Sequence, residues 1–433
     1  MKKCIILLAF ILKAFSVTWA QTEDALQHVK TGTTFGALPS ISFDTDIGFK
    51  YGLLTNFYMF GDGSTYPKYL HSLFLEWFQT TKGSGLQQLI YDSEYLIPNI
   101  RLTFEASHFT EQALDFYGFN GYRAFYAPSF EETNRMFYRH ERKMLRLRAD
   151  FQGGIIGRQL RWMAGYEHNR FIIATVDIAR LNKGRKAANK LPENEELLYD
   201  KFVNWGVIKQ EEAKGGNHNL FKLGLVYDTR DNEPNPMSGI WSEIFLLSAP
   251  SFHGNKQGYS KLAITHRQYF TLVDEVLNLA VRASYQPRIS GTIPFYALPY
   301  IYSTDITRDG LGGAKTLRGI LRNRIVGDDY FYGNVEMRWK FFRTVIWNQH
   351  VYFALSACTD FGRVTSEYKF EHNNAPEAIE WFAKGNTEKM HYACGGGISG
   401  ALNHNFIAHV NYGRAIDKRD GKSGLYIGLN YLF

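Results

Sequence analysis

From residue 41 to the end of the chain, apolar and polar residues alternate with a period of two, and this pattern restricts the fold more than any other feature of the sequence. In one stretch, Leu145 and Leu147 alternate with Arg146 and Arg148. Successive side chains of a β-strand point to opposite faces, so the alternation predicts strands with one apolar and one polar face. The pattern recurs in many short segments, which predicts an all-β protein.

The composition limits the kind of all-β protein. Of the 433 residues, 16% are aromatic and 21% are charged, which excludes disordered and collagen-like chains. Beyond the N-terminal region, no apolar run reaches the roughly 20 residues that a transmembrane helix needs. Two classes remain: a soluble β-protein, and a transmembrane barrel whose apolar face meets lipid while its polar face lines the lumen.

The last ten residues, GLYIGLNYLF, favour the transmembrane barrel over a soluble protein whose final strand lies in a core. Alternate residues from Leu425 to Phe433 are apolar and would form one face. This ending resembles the terminal β-signal of bacterial outer-membrane proteins, with the motif positions Tyr426, Gly428, Tyr431 and Phe433. We therefore predict a barrel in the cell outer membrane of a Gram-negative bacterium, in contact with its lipid and lipopolysaccharide.

The N-terminus has the features of a secretory signal peptide. Lys2 and Lys3 precede a mostly apolar stretch over residues 4–19, and Ala20 is a small residue at a suitable cleavage position. A membrane-anchor helix is the alternative interpretation of this stretch. The sequence thus predicts three regions, which are a signal peptide over residues 1–20, a short periplasmic segment over residues 21–40 and the barrel over residues 41–433.

Sixteen alternating segments predict an antiparallel barrel of about 16 strands, an even number as in single-chain bacterial barrels. These segments are residues 41–55, 69–80, 86–96, 100–109, 135–151, 158–173, 217–228, 239–248, 259–272, 276–287, 295–303, 329–342, 347–359, 389–401, 405–413 and 423–433. Three connections, 174–216, 304–328 and 363–388, are too long for hairpins and would face the cell exterior. The basic stretch 178–190 is either a lipopolysaccharide contact or a solvated helical loop.

Residues with catalytic or metal-binding chemistry are sparse. His391 and Cys394 form one H-x-x-C pair, without the second pair that a zinc site requires. We therefore predict no catalytic residues, no enzyme activity, no metal site and no cofactor, and the formal charge of +7 does not indicate a nucleic-acid partner. Cys358 and Cys394 would remain after signal cleavage, either as one disulfide or as two thiols on neighbouring strands.

One group of motifs suggests a specific kind of barrel. A Gly- and Arg-rich connection contains the tetrapeptide LRGI, the next strand contains an acidic residue, and the strand after that ends in D-F-G. An earlier strand closes with Y-D-T-R-D. In chain order, the motif residues are Asp228, Arg230, Asp231, Leu317, Arg318, Gly319, Ile320, Glu336, Asp360 and Gly362.

These motifs resemble the outer-membrane insertase superfamily, the bacterial surface antigen barrels typified by BamA and TamA. The resemblance implies that a long loop folds into the lumen and that Arg318 at its tip pairs with Glu336 and Asp360. A guanidinium fork suits two carboxylates in a poorly hydrated lumen. The sequence departs from the family pattern at Leu317, where Val or Ile is usual, and at Ile320, where an aromatic residue is usual.

The resemblance also implies a function. In the family, the seam between the first and last strands can open, and incoming strands pair with the exposed edge. We expect a role in outer-membrane protein assembly or translocation, with client outer-membrane proteins and assembly-complex subunits as partners. Only residues 21–40 precede the barrel, so the periplasmic POTRA domains of the family are expected to be absent. The alternatives are a passive or lipid-handling channel, and a structural subunit that retains the fold without insertase activity.

Overall fold

The computed structural model describes residues 30–65, 69–193, 195–304, 307–346, 349–402 and 406–433. The predicted signal peptide, residues 1–20, lies outside this part of the chain. Within it, no helix is long and apolar enough to cross a membrane. Strands make up most of the structure.

Sixteen antiparallel strands form a closed barrel, which confirms the predicted fold class and strand number. Each strand pairs with the next along the chain, and the last strand pairs with the first. In chain order, the strands are β1 (Gly32–Pro39 and Ser42–Asp44), β2 (Gly48–Gly61), β3 (His71–Thr80), β4 (Ser84–Ile97), β5 (Ile100–Asp115), β6 (Arg139–Ile156), β7 (Leu160–Ala174), β8 (Asn217–Asp228), β9 (Gly239–Ala249), β10 (Tyr259–Val273), β11 (Leu277–Gln286 and Arg288–Gly291), β12 (Asp329–Ile346), β13 (Gln349–Ser366), β14 (His391–Leu402), β15 (Phe406–Ala415) and β16 (Ser423–Leu429).

The alternation separates the two faces of the wall. On β6, Leu145 and Leu147 lie on the outer surface, whereas Arg146 and Asp150 are buried in the lumen. Large apolar side chains are exposed all around the outside, among them Leu53, Trp77, Leu223, Leu246, Trp339, Phe353, Ile398 and Ile427. An outer apolar band of this kind is the lipid-facing surface of a transmembrane barrel.

The long connections all leave the barrel at one end, and shorter turns join the strands at the other. The three predicted long connections are observed as residues 175–216, 292–328 and 367–390. A further long loop over residues 116–138 was not predicted. These loops and the shorter ones beside them contain the helices α1 (Pro128–Thr133), α2 (Ile178–Asn182), α3 (Leu198–Asn204) and α4 (Pro376–Ala383), and the 3-10 turns Gly121–Arg123, Ala187–Asn189, Ser251–His253, Phe295–Ala297 and Lys418–Asp420.

The four long loops pack against one another over the lumen and form a cap, defined here as residues 116–138, 175–216, 292–328 and 367–390. Its interior is aromatic, with Phe119, Phe202, Phe295, Tyr368 and Trp381 buried in one continuous cluster. A cavity of about 20 Å³ lies below the cap, lined in part by Phe116, His140 and Tyr296. That volume holds about one water molecule.

The predicted first strand, residues 41–55, is wrong because the alternation hides a turn. Asp44 Oδ1 accepts a hydrogen bond from the backbone N–H of Asp46 at 2.7 Å, and Gly48 follows at a φ of 83°. This turn ends β1 and begins β2. In addition, residues Gly32–Pro39 pair with β2, so the barrel begins within the segment that was predicted to precede it.

The predicted strand at residues 295–303 is also wrong. Pro294 precedes a 3-10 turn, Phe295–Ala297, and the segment continues into the cap. Its apolar residues, including Tyr296, Leu298 and Tyr300, are buried between other loops and lumenal side chains of the wall. A β-pattern of apolar residues can thus arise in a loop that is buried in a lumen. The correct count of 16 results from two errors that cancel.

The chain turns into the lumen after β16. Asn430 has a φ of 64°, and its backbone N–H donates to the Ile407 carbonyl at 2.8 Å. A left-handed residue changes the direction of the chain, so Tyr431 and Phe433 leave the lipid-facing side on which the alternation predicts them. Phe433 is 8% exposed and lies inside the barrel. The prediction of one apolar face from Leu425 to Phe433 is thus wrong for its last two residues.

The two cysteines are free thiols on neighbouring strands. Cys394 lies directly opposite Thr359 in the β13–β14 register, so it lies across from the residue next to Cys358. Cys358 is buried in the lumen and Cys394 is exposed outside. Because they lie on opposite faces of the wall, a disulfide between them would need the strand to turn over.

Candidate functional site

Arg318 lies at the tip of the 292–328 loop, inside the lumen, and binds both predicted carboxylates. Its Nε and Nη2 donate to Asp360 Oδ2 and Oδ1, each at 2.9 Å, and its backbone N–H donates to Asp360 Oδ2 at 2.9 Å. Nη1 donates to Glu336 Oε2. The loop tip, residues 317–320, is therefore attached to β12 and β13 by a fork of charge-assisted hydrogen bonds.

This ion-pair group is buried and continues into further polar residues. Arg318, Glu336 and Asp360 are 2%, 2% and 1% exposed. Arg338 Nε donates to Glu336 Oε1 at 2.7 Å, and Asn334 Nδ2 donates to Asp360 Oδ1 at 2.8 Å. Each carboxylate thus has two side-chain partners, which offsets the large cost of burying charge.

The loop tip also touches the wall through backbone. Gly319 has a φ of 93°, and a Cβ added to it would lie 2.3 Å from the carbonyl carbon of Gly413 on β15. A Cβ on Gly413 would in turn lie 2.5 Å from the Arg318 carbonyl. Two glycines therefore face each other where the loop meets the strand, because no side chain fits between them.

Tyr426 joins the loop tip to the last strand. Its Oη accepts a hydrogen bond from the Gly319 backbone N–H at 3.0 Å, and its side chain is buried. Leu317 and Ile320, on either side, are buried in an apolar cluster with Tyr332 and other residues. The Leu and Ile that depart from the family pattern thus pack fully within the lumen.

The remaining motif residues lie elsewhere in the barrel. Arg230 forms a two-fold hydrogen bond with Asp228 at 2.9 and 2.7 Å, and its guanidinium lies 4.1 Å from the Trp241 ring centre. Asp231 accepts from the Met237 N–H at 3.0 Å. These residues shape the turn between β8 and β9, at the opposite end from the cap. Gly362 leaves room beside β12 for Leu317, whose Cδ1 would lie 3.2 Å from an added Cβ.

The seam between β1 and β16 is short. Two residue pairs, Phe43 with Ile427 and Asp44 with Tyr426, connect the strands. The Thr45 backbone N–H donates to the Leu425 carbonyl oxygen, and the Leu425 N–H donates to Thr45 Oγ1, so the contact extends only toward the cap. Residues Gly32–Pro39 pair with β2, and the register contains no partner strand for their other edge within the described residues. The first strand therefore has a free edge in the half of the wall farthest from the cap.

The sequence matches the Omp85 superfamily domain over residues 91–433. The chain belongs to the Omp85 superfamily. The matched region of this Omp85 barrel contains the loop tip, both carboxylates and the last strand, which confirms the resemblance drawn from the motifs.

Two solved structures share the fold of this Omp85 barrel. One is BamA from Haemophilus ducreyi lacking POTRA domains 1–3, with 14% identity and a TM-score of 0.56, over 93% of this chain and 71% of that one. The other is CdiB from Escherichia coli, with 11% identity and a TM-score of 0.55, over 95% of this chain and 64% of that one. No curated protein matches the sequence. At these identities the likeness establishes the fold alone.

In this Omp85 barrel, several contacts of the loop tip were not predicted from the sequence. The role of Gly413 was missed, and Tyr426 was assigned to the terminal β-signal without its contact to Gly319. The alternation does place both on the lumenal face, but only the register brings them beside the loop tip. Within the part of the chain that the structure describes, no group of three or more His, Cys, Asp or Glu side chains is placed to hold a metal ion.

Replacing Tyr426 by phenylalanine is expected to destabilise the barrel by about 1–3 kcal/mol, because the buried Gly319 N–H loses its acceptor. Thermal unfolding in detergent, followed by circular dichroism, measures this change. Tyr412 on β15 is half exposed on the outer surface, so Tyr412→Phe is the matched control and should unfold at the parent temperature. Equal unfolding temperatures for Tyr426→Phe and the parent would exclude this hydrogen bond as a support of the loop tip.

Proposed function

We propose that this chain assists the assembly of other β-barrel proteins in the outer membrane of a Gram-negative bacterium, without an enzymatic step. The observation that carries the proposal is the seam, at which two residue pairs close the barrel and one edge of β1 stays free. The likeness to BamA and CdiB barrels supports an insertase or translocator type of role.

The free edge of β1 provides the means of binding a client strand. Unpaired backbone N–H and C=O groups over residues Gly32–Pro39 form a template for an incoming strand. Phe35 on this strand is exposed and apolar and shares the outer face of β2 with its partner Phe57, as a lipid-facing residue of a hybrid wall would. Opening the remaining seam costs few hydrogen bonds, each worth about 0.5–1.5 kcal/mol net.

The loop tip holds the strands on the β16 side of the seam in place. Arg318 attaches the loop to β12 and β13, and Gly319 contacts β15 and Tyr426 of β16. Strand β16 is therefore held from inside while its outer edge meets β1. We infer that clients enter from the β1 side, where no lumenal loop among the described residues braces the free edge.

The cap covers the lumen and is therefore evidence against the alternative of a passive channel. At the long-loop end, the lumen holds a continuous buried aromatic cluster with buried charges below it. The same fold is compatible with a lipid-handling or a purely structural role. Neither of these roles requires the free edge of β1. Assembly-complex subunits and lipopolysaccharide remain proposed partners, and the exposed basic residues of the 175–216 loop, such as Lys183 and Arg185, are suitable for lipid phosphates.

Locking the seam with a disulfide should stop assembly. Phe43→Cys with Ile427→Cys places two thiols at directly paired positions, where the Cα separation of about 4.5–5.5 Å suits a disulfide. The variant also carries Cys394→Ser and is expressed in cells in place of the wild-type protein. Oxidation is then expected to lower the amount of heat-modifiable barrel proteins in the outer membrane several-fold. A reductant should restore it.

The matched control is a disulfide in a part of the wall that need not open. Leu53→Cys with Trp77→Cys joins β2 to β3 at paired, outward-facing positions. This variant should leave client levels unchanged under the same oxidation. The assembly role is wrong if the two locks behave alike, or if depletion of the protein leaves all outer-membrane barrel proteins at their normal levels.

A further inference from the structure

The outer surface of the wall carries a polar patch at the cap end of β7 and β8. Along β8, the outward side chains Leu223 and Phe221 are apolar and exposed, and the next outward residue toward the cap is Asn219. On β7, His168 lies directly opposite Asn219, and Arg170 is the following outward residue. A change from apolar to polar side chains along a strand marks the height at which a barrel wall leaves the hydrocarbon and enters the headgroup layer.

The loop between β9 and β10, residues 250–258, folds onto this patch from the neighbouring strand. Asn255 Oδ1 accepts from the Asn219 backbone N–H at 2.7 Å, and Asn255 Nδ2 donates to the Asn219 carbonyl at 2.9 Å. Strand β9 pairs with β8 only as far as Phe221, so the Asn255 side chain takes the place of the next strand residue. Asn219 and Asn255 are 6% and 8% exposed, and the loop is therefore fixed on the wall.

Hydrogen bonds within the patch determine which ring nitrogens face outward. Asn219 Nδ2 donates to the His253 carbonyl at 2.6 Å, and its Oδ1 accepts from Tyr166 Oη at 2.9 Å and from His168 Nδ1 at 2.6 Å. The Tyr166 hydroxyl has thus donated its hydrogen, so it accepts from His253 Nε2 at 3.3 Å. His168 Nε2 and His253 Nδ1 have no hydrogen-bond partner among the described residues. Both are available to a polar ligand.

Two cations flank these imidazoles. Arg170 is exposed on β7, and Lys256 is exposed on the loop, where its ammonium donates to the uncharged Glu211 main-chain carbonyl. Neither cation forms an ion pair with a carboxylate in the part of the chain that the structure describes. Strand β7 and the end of β9 are two interstrand spacings apart, about 10 Å. The patch therefore presents two uncompensated positive charges at its edges, with imidazoles between them.

An apolar anchor lies beside the charges. Phe252, at the tip of the loop, is 88% exposed, the largest exposed fraction of any large apolar side chain in the described part of the chain. Gly254, at a φ of 77°, turns the chain back toward the wall. The Phe221 ring lies below the His253 ring, with centres 5.4 Å apart. Aromatic rings are favourable at the boundary between headgroups and hydrocarbon, so the patch is suited to an amphiphile with an anionic head.

We propose that this patch binds the headgroup of a lipopolysaccharide molecule in the outer leaflet, with phosphates at Arg170 and Lys256 and sugar hydroxyls at His168 and His253. Its phosphorylated diglucosamine carries a phosphate at each end, and charge-assisted hydrogen bonds to two cations hold such a head. The single phosphate of a phospholipid engages only one of them. The site is distinct from the basic residues of the 175–216 loop. This inference goes beyond the assembly role and rests only on the proposed outer-membrane location.

The test is a titration of the purified barrel in detergent with diphosphorylated lipid A, with the bound fraction measured by native mass spectrometry. Arg170→Gln with Lys256→Gln is expected to weaken binding at least about ten-fold, because both charge-assisted contacts are lost. Arg158→Gln with Arg343→Gln is the matched control. It removes the same charge from exposed side chains at the end of the barrel opposite the cap, and should bind as the parent does. Heat-modifiable migration in gels verifies that each variant is folded.

Two further measurements identify the ligand and its position. Phosphatidylglycerol at the same concentration should not displace lipid A from the parent. A dye on Phe252→Cys, in the Cys394→Ser chain, should change its emission when lipid A is added, and a dye on Arg158→Cys should not. Equal affinity of the two double variants, displacement by phosphatidylglycerol, or equal responses of the two dyes would overturn the proposal. None of these measurements needs assembly activity, so a seam lock without effect on client levels would refute the assembly role alone.

Discussion

Replacing Arg318 by alanine is expected to lower the unfolding temperature of the barrel strongly, with a loss of about 3–5 kcal/mol. The substitution leaves Asp360 with Asn334 as its remaining side-chain partner, and Glu336 with Arg338. At 1–2% exposure, solvent screens these carboxylates little. The Arg318→Ala substitution also detaches the loop tip from β12 and β13. Circular dichroism in detergent and the temperature at which heat-modifiable migration is lost both measure the effect.

The control for this prediction is Arg343→Ala on β12, the strand that carries Glu336. Arg343 pairs with Glu275, its side chain is 42% exposed, and such surface pairs contribute about 0–1 kcal/mol. Adding Asp360→Asn to Arg318→Ala should recover part of the stability, because it removes an uncompensated buried charge. If the Arg318→Ala and Arg343→Ala variants unfold at the same temperature, the loop tip does not brace the barrel.

Replacing Gly413 by alanine is the second change with a large expected effect. The added methyl group would lie 2.5 Å from the Arg318 carbonyl, so either β15 or the loop tip must move. Overpacking of this kind costs about 1–3 kcal/mol, and displacement of the tip would also lengthen the hydrogen bonds of Arg318. We expect a loss of at least about 3 kcal/mol, measured by the same unfolding experiments.

Gly36 is the matched control for Gly413. Both are strand glycines outside the left-handed region, but a Cβ on Gly36 meets no atom within 4 Å. Gly36→Ala should therefore retain the parent stability. A Gly413→Ala barrel as stable as Gly36→Ala would show that the loop tip adapts to the methyl group without loss, which contradicts the close backbone contact.

The ion pairs of the site were predictable because they involve a short, recognisable motif. Arg318, Glu336 and Asp360 follow in order along the chain, and each acid lies on the lumenal face that the alternation defines. Gly413 and Tyr426 meet the same loop tip from β15 and β16, about 100 residues later in the sequence. Period two assigns a face to such residues but not a height along the barrel, since height depends on the register of every intervening strand.

Local turns explain the other differences. The turn after Asp44 is made by a side chain that accepts a backbone hydrogen bond, and it interrupts no apolar pattern. The turn at Asn430 depends on a single left-handed residue, a conformation that Asn tolerates but does not require. The segment 295–303 alternates in composition, yet it is buried within the cap. In each case the residue pattern is compatible with a strand, and tertiary packing decides otherwise.

The cap has a consequence for the membrane in which the barrel lies. A cylinder covered at one mouth can exchange a polypeptide only through its other mouth or sideways through its wall. The wall of this barrel is weakest on the side of β1, while the cover of aromatic residues is anchored by four loops. Strands would therefore pass laterally into the lipid while the outer mouth stays shut, and small solutes would not leak across during the exchange. On the proposed assembly role, a client would leave between β1 and β16 while the cap stays closed, so its passage would not by itself open a path for small solutes.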